Sequence, residues 1–135
     1  MRFADTNILL YSVSQDPGES RKAETAVALL RTAELCLSVQ VLQEFYVQAT
    51  RPNRPDALSH REAMAFIATW LRYPVQSITV PVMQAALATK ERWGISYWDA
   101  AIIEAARAAG CDEVLSEDLN HLQSYGGIRV TNPFL

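Results

Sequence analysis

Arg2-Phe3-Ala4-Asp5-Thr6-Asn7-Ile8-Leu9 opens the chain as a short apolar strand that turns, through an acid, a hydroxyl and an amide, into a helix running on to Tyr11. A strand that ends in an acid and restarts as a helix is the first unit of an alternating α/β chain. The same transition recurs downstream. Leu35-Cys36-Leu37 reads as a second strand, and Ser38 stands where it can cap a helix over 39–50. Val114-Leu115 reads as another strand, followed by Ser116-Glu117-Asp118. Val75 to Thr79 has weaker strand character, and Ile128-Arg129-Val130 completes the set.

Between these strands the periodicity is helical. Ala23, Ala26, Val27 and Leu30 share one face of a helix over 19–32, after an Asp16-Pro17-Gly18 turn. Ser59-His60-Arg61-Glu62 has the form of a capping box ahead of Met64, Ile67 and Leu71. Pro81 suits the first turn of the next helix, which Gly94 ends. A further helix over 98–109, with Gly110 as its C-cap, is apolar around most of its circumference and must lie in the interior. Strands alternating with helices predict an α/β fold, a central parallel β-sheet flanked by α-helices on both faces. With 135 residues and no linker or repeat, residues 1–135 are expected to form one domain.

Half of the residues are hydrophobic and the net charge is -3, which excludes a broad basic surface for gripping nucleic acid. Approach to phosphates through bound metal and a few local cations is still allowed. Cys36 and Cys111 are too few for a disulfide framework and have no zinc spacing, so they read as buried free thiols of a reducing compartment. Asp5 interrupts the N-terminal apolar run, so no signal peptide is expected, and the stretch 73–89 is too short and too polar to span a membrane. A soluble cytoplasmic protein without membrane contact is the expectation.

Four carboxylates sit at turning points of this pattern: Asp5, Glu44, Asp99 and Asp118. Each has a structural reading beside a functional one. Asp5-Thr6-Asn7 suits an Asx turn or helix cap. Glu44 shares a polar helical sector with Gln40, Gln43 and Gln48, as a solvated face would. Ser96-x-x-Asp99 fits a capping box, yet the helix it opens is an interior one, where a carboxylate needs a partner. Ser116-Glu117-Asp118 suits an exposed turn, and Asp118 is the preferred acid because it shares a side with Ser116 if the strand persists. His60 and His121 read as surface or cap residues. Arg51 and Arg54 lie in a solvated loop from which they would steer a polyanion. In open parallel sheets, ligands bind beyond the carboxyl ends of the strands. If the four acids meet there, then at an effective dielectric of about 20 each like-charged pair about 4 Å apart costs about 4 kcal/mol. Such a cluster protonates or recruits cations, and hard divalent ions suit oxygen ligands.

Taken together, Phe3-Ala4-Asp5-Thr6-Asn7, Gln40-Val41-Leu42-Gln43-Glu44-Phe45-Tyr46, Ser96-Tyr97-Trp98-Asp99-Ala100, Leu115-Ser116-Glu117-Asp118-Leu119 and Asn132-Pro133-Phe134 resemble the PIN-domain family, above all the VapC-type endoribonuclease toxins of toxin–antitoxin pairs. The resemblance implies a PIN-like fold and maps Asp5, Glu44, Asp99 and Asp118 onto the family's acidic quartet. Ser116 maps onto its hydroxyl residue, with Thr6 and Asn7 expected as supporting partners. The fourth acid varies in the family, which leaves Glu117, Asn120 and His121 as alternatives or assistants to Asp118. The resemblance also implies Mg2+ or Mn2+, an RNA substrate, a homodimer and a cognate antitoxin that blocks the site. Metal-assisted hydrolysis of an RNA phosphodiester is then the expected chemistry. The competing readings are a catalytically silent PIN-like module that binds RNA or protein, and a magnesium-dependent phosphatase or phosphotransferase with Asp5 as nucleophile.

Overall fold

The computed structural model describes residues 1–32 and 34–135. Along the chain run β1 (Arg2–Ala4), α1 (Thr6–Ser12), a 3-10 turn (Pro17–Glu19), α2 (Ser20–Thr32), β2 (Leu35–Ser38), α3 (Val39–Ala49), α4 (His60–Trp70), β3 (Val75–Gln76), α5 (Val80–Trp93), α6 (Tyr97–Ala108), β4 (Glu113–Leu115), β5 (Ser124–Tyr125) and β6 (Ile128–Thr131). Among the described residues they form one six-stranded sheet in the order β3-β2-β1-β4-β6-β5. All neighbours pair in parallel except the β5–β6 hairpin at the edge. The chain builds outward from β1 to β2 and β3, then returns across the sheet to β4. Right-handed crossovers therefore put α1 to α4 on one face and α5 and α6 on the other. The reversal of direction falls between β1 and β4, where sheets of this type bind ligands.

The helices begin where their sequences supply caps. Ser38 Oγ accepts from Val41 N, Thr79 Oγ1 from Val82 N and Ser96 Oγ from Asp99 N. Ser59 and Glu62 close a complete capping box. Gly94, at φ 67°, ends α5 in the left-handed conformation that a side chain disfavours. At the end of α6 the cap is Ala109, and Gly110 is the left-handed residue just beyond it. In the middle of the fold, Phe3, Ile8, Leu37, Phe45, Ile103 and Val114 are fully buried in one continuous core. Every residue from Ala100 to Ala106 is buried, as an interior helix requires.

Two details depart from expectation. The third strand stops at Gln76, because Thr79 caps α5 instead of extending an edge strand. The β5–β6 hairpin was not anticipated. Gly126 and Gly127 both have positive φ, as the tight turn between Tyr125 and Ile128 demands. Arg107 fastens that turn to α6, donating to the Gly126 and Tyr125 carbonyls while pairing with the buried Glu104. Cys36 and Cys111 are free and buried. Among the described residues, no helix is long and apolar enough to cross a membrane.

Candidate active site

Three of the four acids are drawn together by side chains that bridge them. Asp5 follows β1, and its backbone N–H donates to the Leu115 carbonyl at the end of β4, which brings Ser116 alongside. Asp5 is only 5% exposed. Its Oδ1 accepts from Thr6 N at 2.7 Å and its Oδ2 from Ser116 Oγ at 2.7 Å. It is thus both the N-cap of α1 and a member of the cluster. Thr6 Oγ1 donates to Glu44 Oε2 at 2.9 Å, linking α1 to α3. Asn7 Nδ2 donates to Ser116 Oγ at 3.3 Å and to Asp118 Oδ2 at 3.1 Å, linking α1 to the loop after β4. Ser116 Oγ also accepts from Asp118 N. Thr6, Asn7 and Ser116 are all buried, and each touches at least one of the acids.

Asp99 enters from the first turn of α6, whose N-cap Ser96 accepts its backbone N–H. Its carboxylate feels the charges of both Glu44 and Asp118. Burial raises its pKa most, with the like charges of Asp118 and Glu44 adding to that rise and Ser96 opposing it. The same balance is stronger at Asp5. Burial there, reinforced by Asp118 and Glu44, lifts the carboxyl to about 6 despite the hydrogen bonds from Ser116 and Thr6. Asp5 and Asp99 therefore both lie within the field of Glu44 and Asp118.

Beside them lies a cleft of about 240 Å³ bordered by Thr6, Asn7, Tyr11, Glu44, Arg54, Glu117 and Asp118. Its lining cation among the described residues, Arg54, is already paired with Asp56 at 3.0 Å, and the lining Glu117 is paired with Lys22 at 2.9 Å. Glu117 also accepts a short hydrogen bond from Tyr11. This network occupies Glu117, while Asn120 bonds Gln123 and His121 accepts from Asn132 N. Of the candidates in this loop, Asp118 alone is bound to Asn7 and Ser116 beside Asp5.

The polar sector of α3 is a cleft wall, not a fully solvated face. Gln40 is 8% exposed, and its Nε2 donates to Glu44 Oε1 at 2.7 Å and to the Trp98 carbonyl at 3.3 Å. Gln40 and the Tyr11–Glu117–Lys22 network were not singled out as part of the site from sequence. For Gln40 the signal was present, since a residue four before Glu44 is its neighbour on a helix.

What the cluster lacks is positive charge. Its groups are hydrogen-bond acceptors in excess of donors, and Asn7 Oδ1 is buried with no partner among the described residues. Carboxylates, an amide oxygen and a hydroxyl are the ligand chemistry of a hard divalent ion. No three acids, imidazoles or thiols among the described residues form a ready chelating group.

The PIN domain family matches residues 2–126, and the chain belongs to that family. No curated protein matches it. The fold is shared by VapC20 of Mycobacterium tuberculosis, a sarcin-ricin loop cleaving toxin, at TM-score 0.69 and 22% identity over 87% of this chain and 92% of that one. A toxin–antitoxin complex from Klebsiella pneumoniae is similar at TM-score 0.71 and 17% identity, over 98% of each chain. FitAcB from Neisseria gonorrhoeae is similar at TM-score 0.69 and 18% identity, over 99% of each.

Proposed function

We propose that this chain is the VapC-type toxin of a toxin–antitoxin pair, a single-domain cytoplasmic endoribonuclease that uses Mg2+ or Mn2+ to hydrolyse RNA phosphodiester bonds. The observation that carries the reading is the convergence of the acids, in which Ser116, Asn7 and Thr6 bridge Asp5, Asp118 and Glu44, while burial, with the like charges of Asp118 and Glu44 adding to it, raises the pKa of both Asp5 and Asp99. Such an arrangement is costly without a positive ligand. Asp5 and Asp99 would hold the ion directly, with Glu44 and Asp118 ligating it or its waters. When bound, the ion supplies a water of lowered pKa and stabilises charge on the phosphate.

The chain's own contribution is positioning. Ser116 and the Thr6 N–H hold one Asp5 oxygen each, so the carboxylate cannot rotate away. Thr6 and Gln40 hold the two Glu44 oxygens, and Asn7 holds Asp118. Homodimerisation and a basic antitoxin segment seated at the acidic site follow from the same reading, consistent with the toxin–antitoxin complex among the structural neighbours.

Incubating purified chain with RNA tests the proposal. Cleavage should require Mg2+ or Mn2+, stop with chelator, and disappear in Asp99→Asn. Binding of RNA with no cleavage under any divalent ion would instead establish a silent binding module.

A further inference from the structure

Trp98 is the one tryptophan among the described residues that the fold leaves open, at 65% exposed. Trp70 is buried against Phe45 and Phe66, and Trp93 packs on Tyr125 with Arg92 over its ring. Trp98 is nevertheless held in place. Tyr97 meets its ring edge-on with centroids 5.1 Å apart. Its carbonyl accepts from the same Gln40 nitrogen that holds Glu44, and the next residue is Asp99. The backbone that carries the ring is therefore anchored beside two of the four acids.

A groove of about 450 Å³ joins Trp98 to Glu44 and Arg51 across the α3 amides Gln40, Gln43 and Gln48. Arg51 is exposed and makes no ion pair among the described residues. An aromatic face, a row of amides and an unpaired guanidinium leading to an acidic centre match the parts of a nucleotide: a base to stack, edges to bond and a phosphate to neutralise.

We propose that Trp98 is a stacking platform for an unpaired base next to the cleaved phosphate, with Arg51 receiving a neighbouring backbone phosphate. This rests on the nuclease reading above and adds the feature that selects the substrate. Within a duplex both faces of a base are covered by its neighbours, so the platform favours unpaired segments. It is tolerant of base identity, because every base has a π face. The alternative occupant is a second copy of this chain, since Trp98 also borders an apolar pocket with Ile78, Val80 and Met83.

The test measures binding in Mg2+ on an Asp5→Asn background, where the RNA stays intact. The probes are an unstructured RNA of about 12 nucleotides and a perfect duplex of the same sequence. Trp98→Ala should weaken single-strand binding by about 5- to 100-fold, and Trp98→Phe should restore most of it. Duplex binding should change little, and sedimentation should show the same oligomer in every variant. Unchanged single-strand binding in Trp98→Ala overturns the proposal, as does an equal loss on the duplex. A change of oligomer that accounts for the lost binding also overturns it and assigns Trp98 to a seam between copies. Cleavage by the unaltered chain is read in parallel. RNA left whole there refutes the nuclease reading, whereas RNA cut there but bound equally with and without Trp98 refutes the platform alone.

Discussion

Replacing Asp5 with Asn should stabilise the metal-free protein at neutral pH, because asparagine keeps the helix cap and removes the buried charge. In the fold the Asp5 carboxyl is raised from 3.8 to about 6, first by burial and then by Asp118 and Glu44. A shift of about two units corresponds to about 3 kcal/mol between protonation states. The sign follows from proton linkage. Between these two pKa values the fold binds the proton more tightly than the unfolded chain does, so stability falls as pH rises through this window. Above pH 6 the wild-type fold carries the full cost, whereas below about pH 4 it carries none. Asparagine is neutral at every pH. Its Oδ1 can still accept from Thr6 N, but its amide donates where Ser116 now donates, which costs about 1 kcal/mol. The net expectation at pH 8 is a gain of about 1–3 kcal/mol, or about 3–10 °C in Tm for a domain of this size. The gain should vanish or reverse at pH 4. Thermal melts in chelator at the two pH values measure it. A loss at pH 8 as large as a core substitution would refute the electrostatic account and leave Asp5 as a cap only.

Three further outcomes are expected. Mg2+ or Mn2+ should raise the Tm of the wild-type chain in a concentration-dependent way and do so much less for Asp5→Asn, as melts across a metal titration would show. Gln40→Met should lower RNA cleavage about 10- to 100-fold by removing the amide that holds Glu44 Oε1, with little change in Tm. A basic antitoxin segment should inhibit cleavage less as Mg2+ rises, and replacing its Arg and Lys residues with Ala should abolish that inhibition.

The starts of four helices were legible in the sequence because each carries its own cap: Asp5, Ser38, Ser59 and Ser96 all accept a backbone N–H where their helices begin. The interior position of α6 was legible in a circumference that is apolar for the most part. Strand β5 was not, since two residues show no alternation, although Gly126-Gly127 carried the signature of a hairpin. The α3 amides were legible as a polar sector but not as a wall of the site. Which way a helix turns its polar side is decided by what packs against it, here Thr6 from α1 and the Trp98 carbonyl from α6. The Tyr11–Glu117–Lys22 network joins residues 106 and 95 positions apart, and no local pattern foretells such contacts. Of the four acids, Asp5 and Asp118 were placed by the strands they follow. Glu44 was placed only by resemblance, and the structure supplies its physical reason in Thr6 and Gln40.

The central claim is that Asp5, Glu44, Asp99 and Asp118 are one metal-holding site. Anomalous diffraction from crystals soaked in Mn2+ tests it most directly. The account predicts a manganese peak within ligand distance of the Asp5 and Asp99 carboxylates, lost in the Asp5→Asn, Asp99→Asn double variant. A peak elsewhere on the surface, or one at the quartet that survives the double substitution unchanged, would contradict it.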